Sequence, residues 1–558
     1  MPTSPLDQLD TLKTQFGGNS SRRVLALLKR IDRQNISNAN SLLQLHELLL
    51  FVRSHPHNRA VLRQADALLK KFANRISQQV HEGSDLSLLE HPEASGLAGL
   101  SVIDTFSFPI VRWLTHRNPS QLSFYWEWFE DENRIGELWP TFIPLLEEDT
   151  FVEANIPFRE WLREARGKKA EVPWLVAQFD QLDIPEEQKS ERYNAQKLYV
   201  KWHYSYRDSR TGLRGPVRKL FFHDGPLISR RQVRLTEELN KPALPLKRLS
   251  VSDSQRAIDL ARLASTVRYR ELYGFTNGDP RNVLQVDIGR GVVLQIISLP
   301  PDKRLPLRAY HAAMIYKNGV PIGYFEGLSL FERMESGFNL YYTFREGETA
   351  WLYVQILRVM RQITGVTSFS LDPYQIGLEN EEGIQSGAFW FYRKLWFRST
   401  SKEIQKLTEH EEEKIATREK YRTSAETLRQ LARAPMILEL DESKRGDWDH
   451  FQIRNIGFAV QRLVVERFKG DATRLRATAR DNLRTSLNLD SSFVSSRTFE
   501  DFAVALLLVG DKHSANERDQ TLLKQIVTSK CAGSEGTYLR LLQKHGVLRK
   551  AFLSHGST

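Results

Sequence analysis

Across residues 1–195, apolar side chains recur every three or four positions, the period of a helix with one buried face. In "AVLRQADALLKKFANRI", Val61, Ala65, Leu68, Phe72 and Ile76 form a single stripe. "SLLQLHELLLFVR" before it is apolar nearly all round and predicts a helix packed on both sides. His55, Pro56, His57 and Asn58 between them predict a turn and a cap. "SFYWEWFEDENRIGELWPTF" mixes aromatics with acids, and "PWLVAQFDQL" reads as a short helix. No fixed-period repeat is present, which argues against a solenoid.

The pattern changes at Gln196. "KLYVKWHYSYRDSRTGLRGPVRKLFFHDG" alternates apolar and polar residues around Asp208 to Gly212 and predicts a long hairpin, so residues 196–243 read as a basic, aromatic connector. Residues 244–400 mix the two periods. Strand "LPLKRLS", helix "DSQRAIDLARLASTVRYREL" and strand "GVVLQIISL" precede the hairpin "AYHAAMIYKNGVPIGYFEGLSLF". That hairpin turns at Lys317, Asn318 and Gly319, where Asn-Gly tolerates positive φ. Strand "GFNLYYTF", helix "TAWLYVQILRVMRQIT", strand "VTSFSLD" and helix "EEGIQSGAFWFYRKL" follow. The predicted fold class is therefore an α/β central domain with a mixed sheet, between mainly α-helical regions at 1–195 and 401–558. In the latter, "SKEIQKLTEHEEEKIATREKYRTSAETLRQLARA" predicts a solvated helix laced with charge pairs. "IRNIGFAVQRLVVERFKG" stops at Lys469 and Gly470, and Thr498 with Asp501 is expected to cap "FEDFAVALLLVG", closed by Gly510.

A chain of 558 residues exceeds what one core holds, and about three or four domains are expected. The single cysteine, Cys531, excludes a disulfide framework and a cysteine-based zinc site, and fits a reducing cytoplasm. "MPTSPLDQLDTLKTQFGG" shows no signal-peptide pattern, and the longest apolar run, "FAVALLLVG", is too short to span a bilayer. The expectation is a cytoplasmic protein without membrane insertion. A net charge of +11 suits nucleic acid, an anionic membrane surface or a polyanionic cofactor equally.

Candidate chemistry concentrates in "FREGETA", Phe344 to Ala350, where a strand turns into a helix. The first N–H groups of a helix have no intrahelical partners and, with the helix dipole, form a local anion site. Gly347 permits close backbone approach, Thr349 adds a hydroxyl and Arg345 a charge. Every strand–turn–helix has such amides, so the stretch by itself also fits an ordinary turn. The order hairpin, strand, basic turn, helix, strand, helix, ending in "FYRKLWF", resembles the acyl-CoA-dependent N-acyltransferases of the GNAT superfamily over residues 244–400. The resemblance implies that the strands before and after the turn splay apart, with the pantetheine arm of an acyl-CoA in the gap and its pyrophosphate on the turn. The implied cofactor-binding residues are Arg345, Gly347, Glu348, Thr349 and Ala350. Arg345 and Ala350 match the ends of the family's turn, Glu348 stands where its middle glycine belongs, and Gly347 comes one residue early. Asn380 corresponds to the family's asparagine, set further from Tyr392 by an insertion, "DPYQIGLENEE". Tyr392 is then the general acid: a phenol of pKa about 10 can protonate a leaving thiolate of pKa about 8.5. Trp396 replaces the family's helix-ending glycine and would incur roughly 1–2 kcal/mol in a left-handed conformation. The helix is therefore expected to end differently, or the indole to fill cofactor space.

Glu326 and Glu332 are candidate bases for an attacking amine, and each also suits a salt-bridged or solvated carboxylate. Tyr392 shares a helical stripe with Phe389 and Trp396 and so also fits a core aromatic. By the resemblance "ELYGFTNGDPRN" is a substrate-side loop, and by composition a plain loop. His55 and His57 lack a nearby third ligand, and no metal is expected. The basic aromatic stretch Lys201 to Lys219 suits either stacking on single-stranded nucleic acid or a solvated hairpin. Neither a Walker-type loop nor a Gly-x-Ser-x-Gly elbow occurs. The expected function is acyl transfer from acyl-CoA to an amine on a small molecule or protein. The alternative is an inactive scaffold of that fold whose basic surface, around Lys201 to Arg234, binds nucleic acid or a protein partner.

Overall fold

The computed structural model describes residues 4–557 except 93, 130–134, 136, 137, 143–157, 490–495 and 511–515. The chain forms two compact units, one of residues 1–215, 222–225 and 259–276, the other of residues 216–221, 226–258 and 277–558.

In the first unit, helices Pro5–Leu12, Ser20–Asp32, Ala39–Ser54, Arg59–Lys70 and Phe72–His81 follow one another. Ala39–Ser54 is buried without a break from Leu48 to Ser54, as its all-round apolar sequence requires. Asn58 caps the next helix by accepting from the N–H groups of Ala60 and Val61. The stripe from Val61 to Ile76 is shared by two helices that break at Lys71. Strands β1 (Val102–Asp104), β2 (Leu122–Phe124) and β3 (Val200–Trp202) form an antiparallel sheet in the order β1-β3-β2.

Here the structure corrects the expected hairpin at 201–219. β3 is the middle strand of a sheet, and the chain after it enters a buried loop: Asp208, Ser209, Arg210 and Thr211 are all buried. The Thr211 hydroxyl lies 3.0 Å from His46 Nε2 and accepts from the Ala98 N–H at 2.9 Å, while Arg53 donates to the Thr211 carbonyl at 2.5 Å. The polar residues that resembled a solvent-facing turn instead satisfy buried backbone.

The second unit is built on a nine-stranded mixed sheet of β4 (Lys247–Arg248), β5 (Val283–Gly289), β6 (Val292–Ser298), β7 (Ala309–Lys317), β8 (Val320–Leu330), β9 (Arg333–Leu340), β10 (Ser368–Leu371), β11 (Arg398–Ser399) and β12 (Met436–Glu439). The order is β11-β12-β10-β9-β8-β7-β6-β5-β4. β4 to β9 run antiparallel in chain order, and the β7–β8 turn places Asn318 at φ 48° and Gly319 at φ 77°, as Asn-Gly requires. After β9, helix Thr349–Thr364 carries the chain to β10, which joins β9 in parallel. β12 comes from the region expected to be mainly helical and lies between β10 and β11.

Three further expectations are corrected. The helix expected across Glu381 to Leu395 is two, Glu381–Ser386 and Ala388–Arg393, parted by left-handed Gly387 at φ 66°. The charged stretch after Thr400 is likewise two helices, Lys402–Thr417 and Ala425–Leu431. Ser496, not Thr498, caps Arg497–Leu506; Thr498 is buried and donates to the Pro301 carbonyl. The helices between Ala472 and Gly556 share one apolar core with Leu307, Leu330 and Phe331. No described helix is long and apolar enough to cross a membrane.

Candidate functional site at the β9–β10 junction

β10 pairs with only the start of β9: Ser368, Phe369 and Ser370 face Arg333, Met334 and Glu335. Residues 336–340 continue along β8 and, among the described residues, have no partner strand on the β10 side. The separation follows from local sequence. Asp372 caps a turn of helix, Pro373–Ile376, whose proline has no N–H to offer a ladder. At the other side of the gap, β9 leads through residues 341–348 into helix Thr349–Thr364. Glu348 is the N-cap residue but its side chain makes no capping bond, so the first-turn amides receive no side-chain cap from it.

The carboxylate of Glu348 is directed elsewhere. It accepts from the Ile228 N–H at 3.0 Å, from Arg290 Nε at 2.8 Å and from Lys317 Nζ at 3.3 Å. Both cations lie over the Phe221 ring, at 4.7 and 5.5 Å from its centre. Burial alone would raise the Glu348 carboxyl, but Arg290 and Lys317 outweigh it and hold the group below its ordinary value. Burial pushes Lys317 down to about 8, against the opposing pull of Glu348.

The other predicted turn residues are placed as follows. Arg345 Nε donates to the Leu340 carbonyl at 3.2 Å on the unpaired stretch of β9, and its guanidinium pairs with Glu382. The Gly347 N–H bonds the Phe344 carbonyl at 3.0 Å, closing the turn. Thr349 Oγ1 donates back to the Arg345 carbonyl at 2.9 Å, and Ala350 is buried. Asn380 caps Glu381–Ser386 by accepting from the Gly383 N–H at 3.2 Å, and donates to the Tyr374 carbonyl at 2.9 Å. Its role in the structure is thus to brace the loop after β10, while the Arg345–Glu382 pair ties that loop to the turn.

Tyr392 is buried in an aromatic cluster, its ring 5.5 Å from Tyr353 and 5.8 Å from Phe397. Burial raises its phenol well above the ordinary tyrosine value, so it stays protonated. Tyr353 reaches β9 directly: its hydroxyl is 2.9 Å from that of Ser336, which donates to the Ser370 carbonyl of β10 at 3.3 Å. Glu326 on β8 faces Gly337 and is held by the Tyr310 hydroxyl, and burial raises its carboxyl. Because Ser336 and Gly337 are consecutive, Tyr353 and Glu326 lie on opposite faces of the sheet. Chemistry shared by Tyr392 and Glu326 would have to take place in the gap between β9 and β10. Glu332 is committed to structure: it accepts from Arg549 Nε at 2.8 Å and from Trp448 Nε1 at 3.1 Å.

Trp396 adopts the left-handed conformation after all, at φ 69°. The Phe397 N–H bonds the Tyr392 carbonyl at 3.3 Å and the Trp396 N–H bonds that of Arg393 at 3.1 Å, a Schellman closure with tryptophan where glycine is usual. The indole is 59% exposed, so it does not fill cofactor space. Trp396→Gly is therefore expected to stabilise the fold by about 0.5–1 kcal/mol, because relief of the left-handed strain exceeds the added freedom of the unfolded chain. Urea unfolding measures this, and a loss of stability would mean that the exposed indole packs more than its exposure indicates.

Sequence reasoning missed Arg290, Lys317, Tyr353 and Ser336. The one local signal was a basic residue in each of two Gly-containing turns, Gly289 to Gly291 and Lys317 to Gly319. The search of protein-family models, curated proteins and solved structures finds no match for this chain.

Proposed function

We propose that the second unit is an N-acyltransferase that takes its acyl group from an acyl-CoA and delivers it to an amine. The observation that carries this reading is the parallel β9–β10 junction, paired at one end only, with a helix start lacking a side-chain cap at the end of β9. A gap of that kind offers unpaired strand backbone to an extended arm, and the helix start offers N–H groups to a pyrophosphate. The left-handed closure at Trp396 keeps the backbone geometry that the resemblance to GNAT enzymes calls for. Tyr392, protonated and joined to the junction through Tyr353, supplies the proton for a leaving thiolate, and Glu326 is the candidate base. Titrating the chain with CoA, acetyl-CoA and a long-chain acyl-CoA while following thermal unfolding tests it. A ligand at a hundred times its Kd adds about 2.7 kcal/mol, and Arg345→Glu should remove the effect. No shift with any of the three, and no heat on direct titration, would overturn the reading.

A second reading is a scaffold of the same fold without cofactor. It is favoured by the engagement of Arg345 with Glu382 and by the buried Glu348 carboxylate at the turn. Nucleic acid is its less supported partner, since Arg214 pairs with Asp66 at 2.6 Å and Arg218 lies 3.7 Å from Asp287.

A further inference from the structure

We infer that the second unit binds a nucleotide through its phosphate, on the exposed basic surface where Arg230, Arg231, Lys394 and Arg422 meet beside Trp396. Contacts between separate parts of the chain assemble this surface. Arg230 donates to the Lys394 carbonyl at 3.0 Å, just past the end of helix Ala388–Arg393. Trp390 Nε1, in that helix, donates to Thr423 Oγ1 at 3.1 Å and so holds the neighbouring Arg422 near it. The Ile228 N–H, two residues before Arg230, bonds Glu348, so the surface adjoins the start of helix Thr349–Thr364. All of these residues belong to one unit.

The cations lack a counter-charge. None of Arg230, Arg231, Lys394 and Arg422 forms an ion pair among the described residues, whereas Arg393, next to Lys394, is neutralised by Glu412 at 2.8 Å. Burial, and then the charges of Arg230, Arg422 and Arg231, hold the Lys394 ammonium below its ordinary value. Arg231, Lys394 and Arg422 are exposed and Arg230 is half-buried, so an anion reaches them from solvent. Like charges gathered without an acid concentrate anions, and guanidinium groups grip phosphate oxygens in pairs.

An independent observation supplies a flat partner. Trp396, two residues after Lys394, keeps its left-handed backbone at φ 69° and leaves its indole 59% exposed. Strain retained for a side chain that packs so little in the core marks a functional position. An exposed indole stacks on a nucleobase of any type and would set the attached phosphate among the cations. Two sources carry this chemistry, the nucleotide end of CoA and a free nucleotide.

The site stands without the acyl-transfer reading. Calorimetric titration of the full chain with adenosine 3′,5′-bisphosphate tests it, with adenosine and inorganic phosphate as the two part-ligands. Saturable binding of the bisphosphate is expected, stronger than that of either part and weakened about tenfold or more when Arg231→Ala and Arg422→Ala are combined. Both side chains are exposed and unpaired, so the melting temperature of that variant should match the parent's. Trp396→Gly should weaken binding several-fold although it is expected to stabilise the fold, which separates lost stacking from lost structure. Titration with CoA and dephospho-CoA identifies the source. A preference of about tenfold for CoA assigns the surface to the acyl donor, and equal binding of the two assigns it to a free nucleotide. Bisphosphate binding without CoA binding would likewise assign it to a free nucleotide, and would count against the acyl-transfer reading alone. No saturable binding of the bisphosphate, undiminished binding in the double variant, or binding of a single-stranded oligonucleotide in place of the bisphosphate would overturn the inference.

Discussion

Glu348→Ala is expected to cost about 3–5 kcal/mol of stability, the effect of removing one partner from a buried ion cluster. The carboxylate is 3% exposed and holds Arg290 and Lys317 at 2.5 and 3.3 Å. Without it, Lys317 is left buried beside another cation, and its pKa should fall further below about 8. The two groups also give opposite pH signatures. The folded pKa of Glu348 is depressed, so its contribution is complete above the unfolded carboxylate value and is lost as pH falls through the folded one. The folded pKa of Lys317 is depressed too, so the fold disfavours its charge. That cost is relieved as pH rises from about 8 toward the reference value of 10.5, and Lys317→Met should flatten this rise. Urea unfolding across pH gives both results. A loss below about 1 kcal/mol in Glu348→Ala would show that water already serves the cluster.

Tyr392→Phe should lower turnover by about 10²–10⁴-fold if the phenol is the general acid of acyl transfer. The same change should barely alter stability, since burial alone perturbs the phenol and the ring contacts survive. This separates the two roles open to Tyr392. A core aromatic loses little of anything on becoming phenylalanine, whereas a proton donor loses rate without losing fold. Turnover unchanged in Tyr392→Phe, with acyl-CoA binding intact, would remove Tyr392 from the mechanism.

Local patterns carried much of the α/β region. Asn318 and Gly319 announced the β7–β8 hairpin because few residue pairs tolerate positive φ. Elements defined by partners distant in sequence were hidden. β12 is four residues long and is a strand because β10 and β11 flank it. The loop Asp208–Thr211 looks like a surface turn until His46, Arg53 and Ala98 are placed against it. At the candidate site, the turn from Arg345 to Ala350 was legible as a segment. That Glu348 would be held by residues 58 and 31 positions earlier was not, since a carboxylate in a turn carries no mark of its partner.

The nine-stranded sheet has guarded margins. It ends on one side at β4, two exposed basic residues, and on the other at β11, also two residues, whose Arg398 is fixed by Glu439 and Asp449. Edges so short and charged give another chain little template to extend, so sheet-to-sheet aggregation through them is disfavoured. The longer run of strand unpaired on one side among the described residues, 336–340, lies inside the sheet, where a second protein chain would have to thread between β9 and the loop after β10.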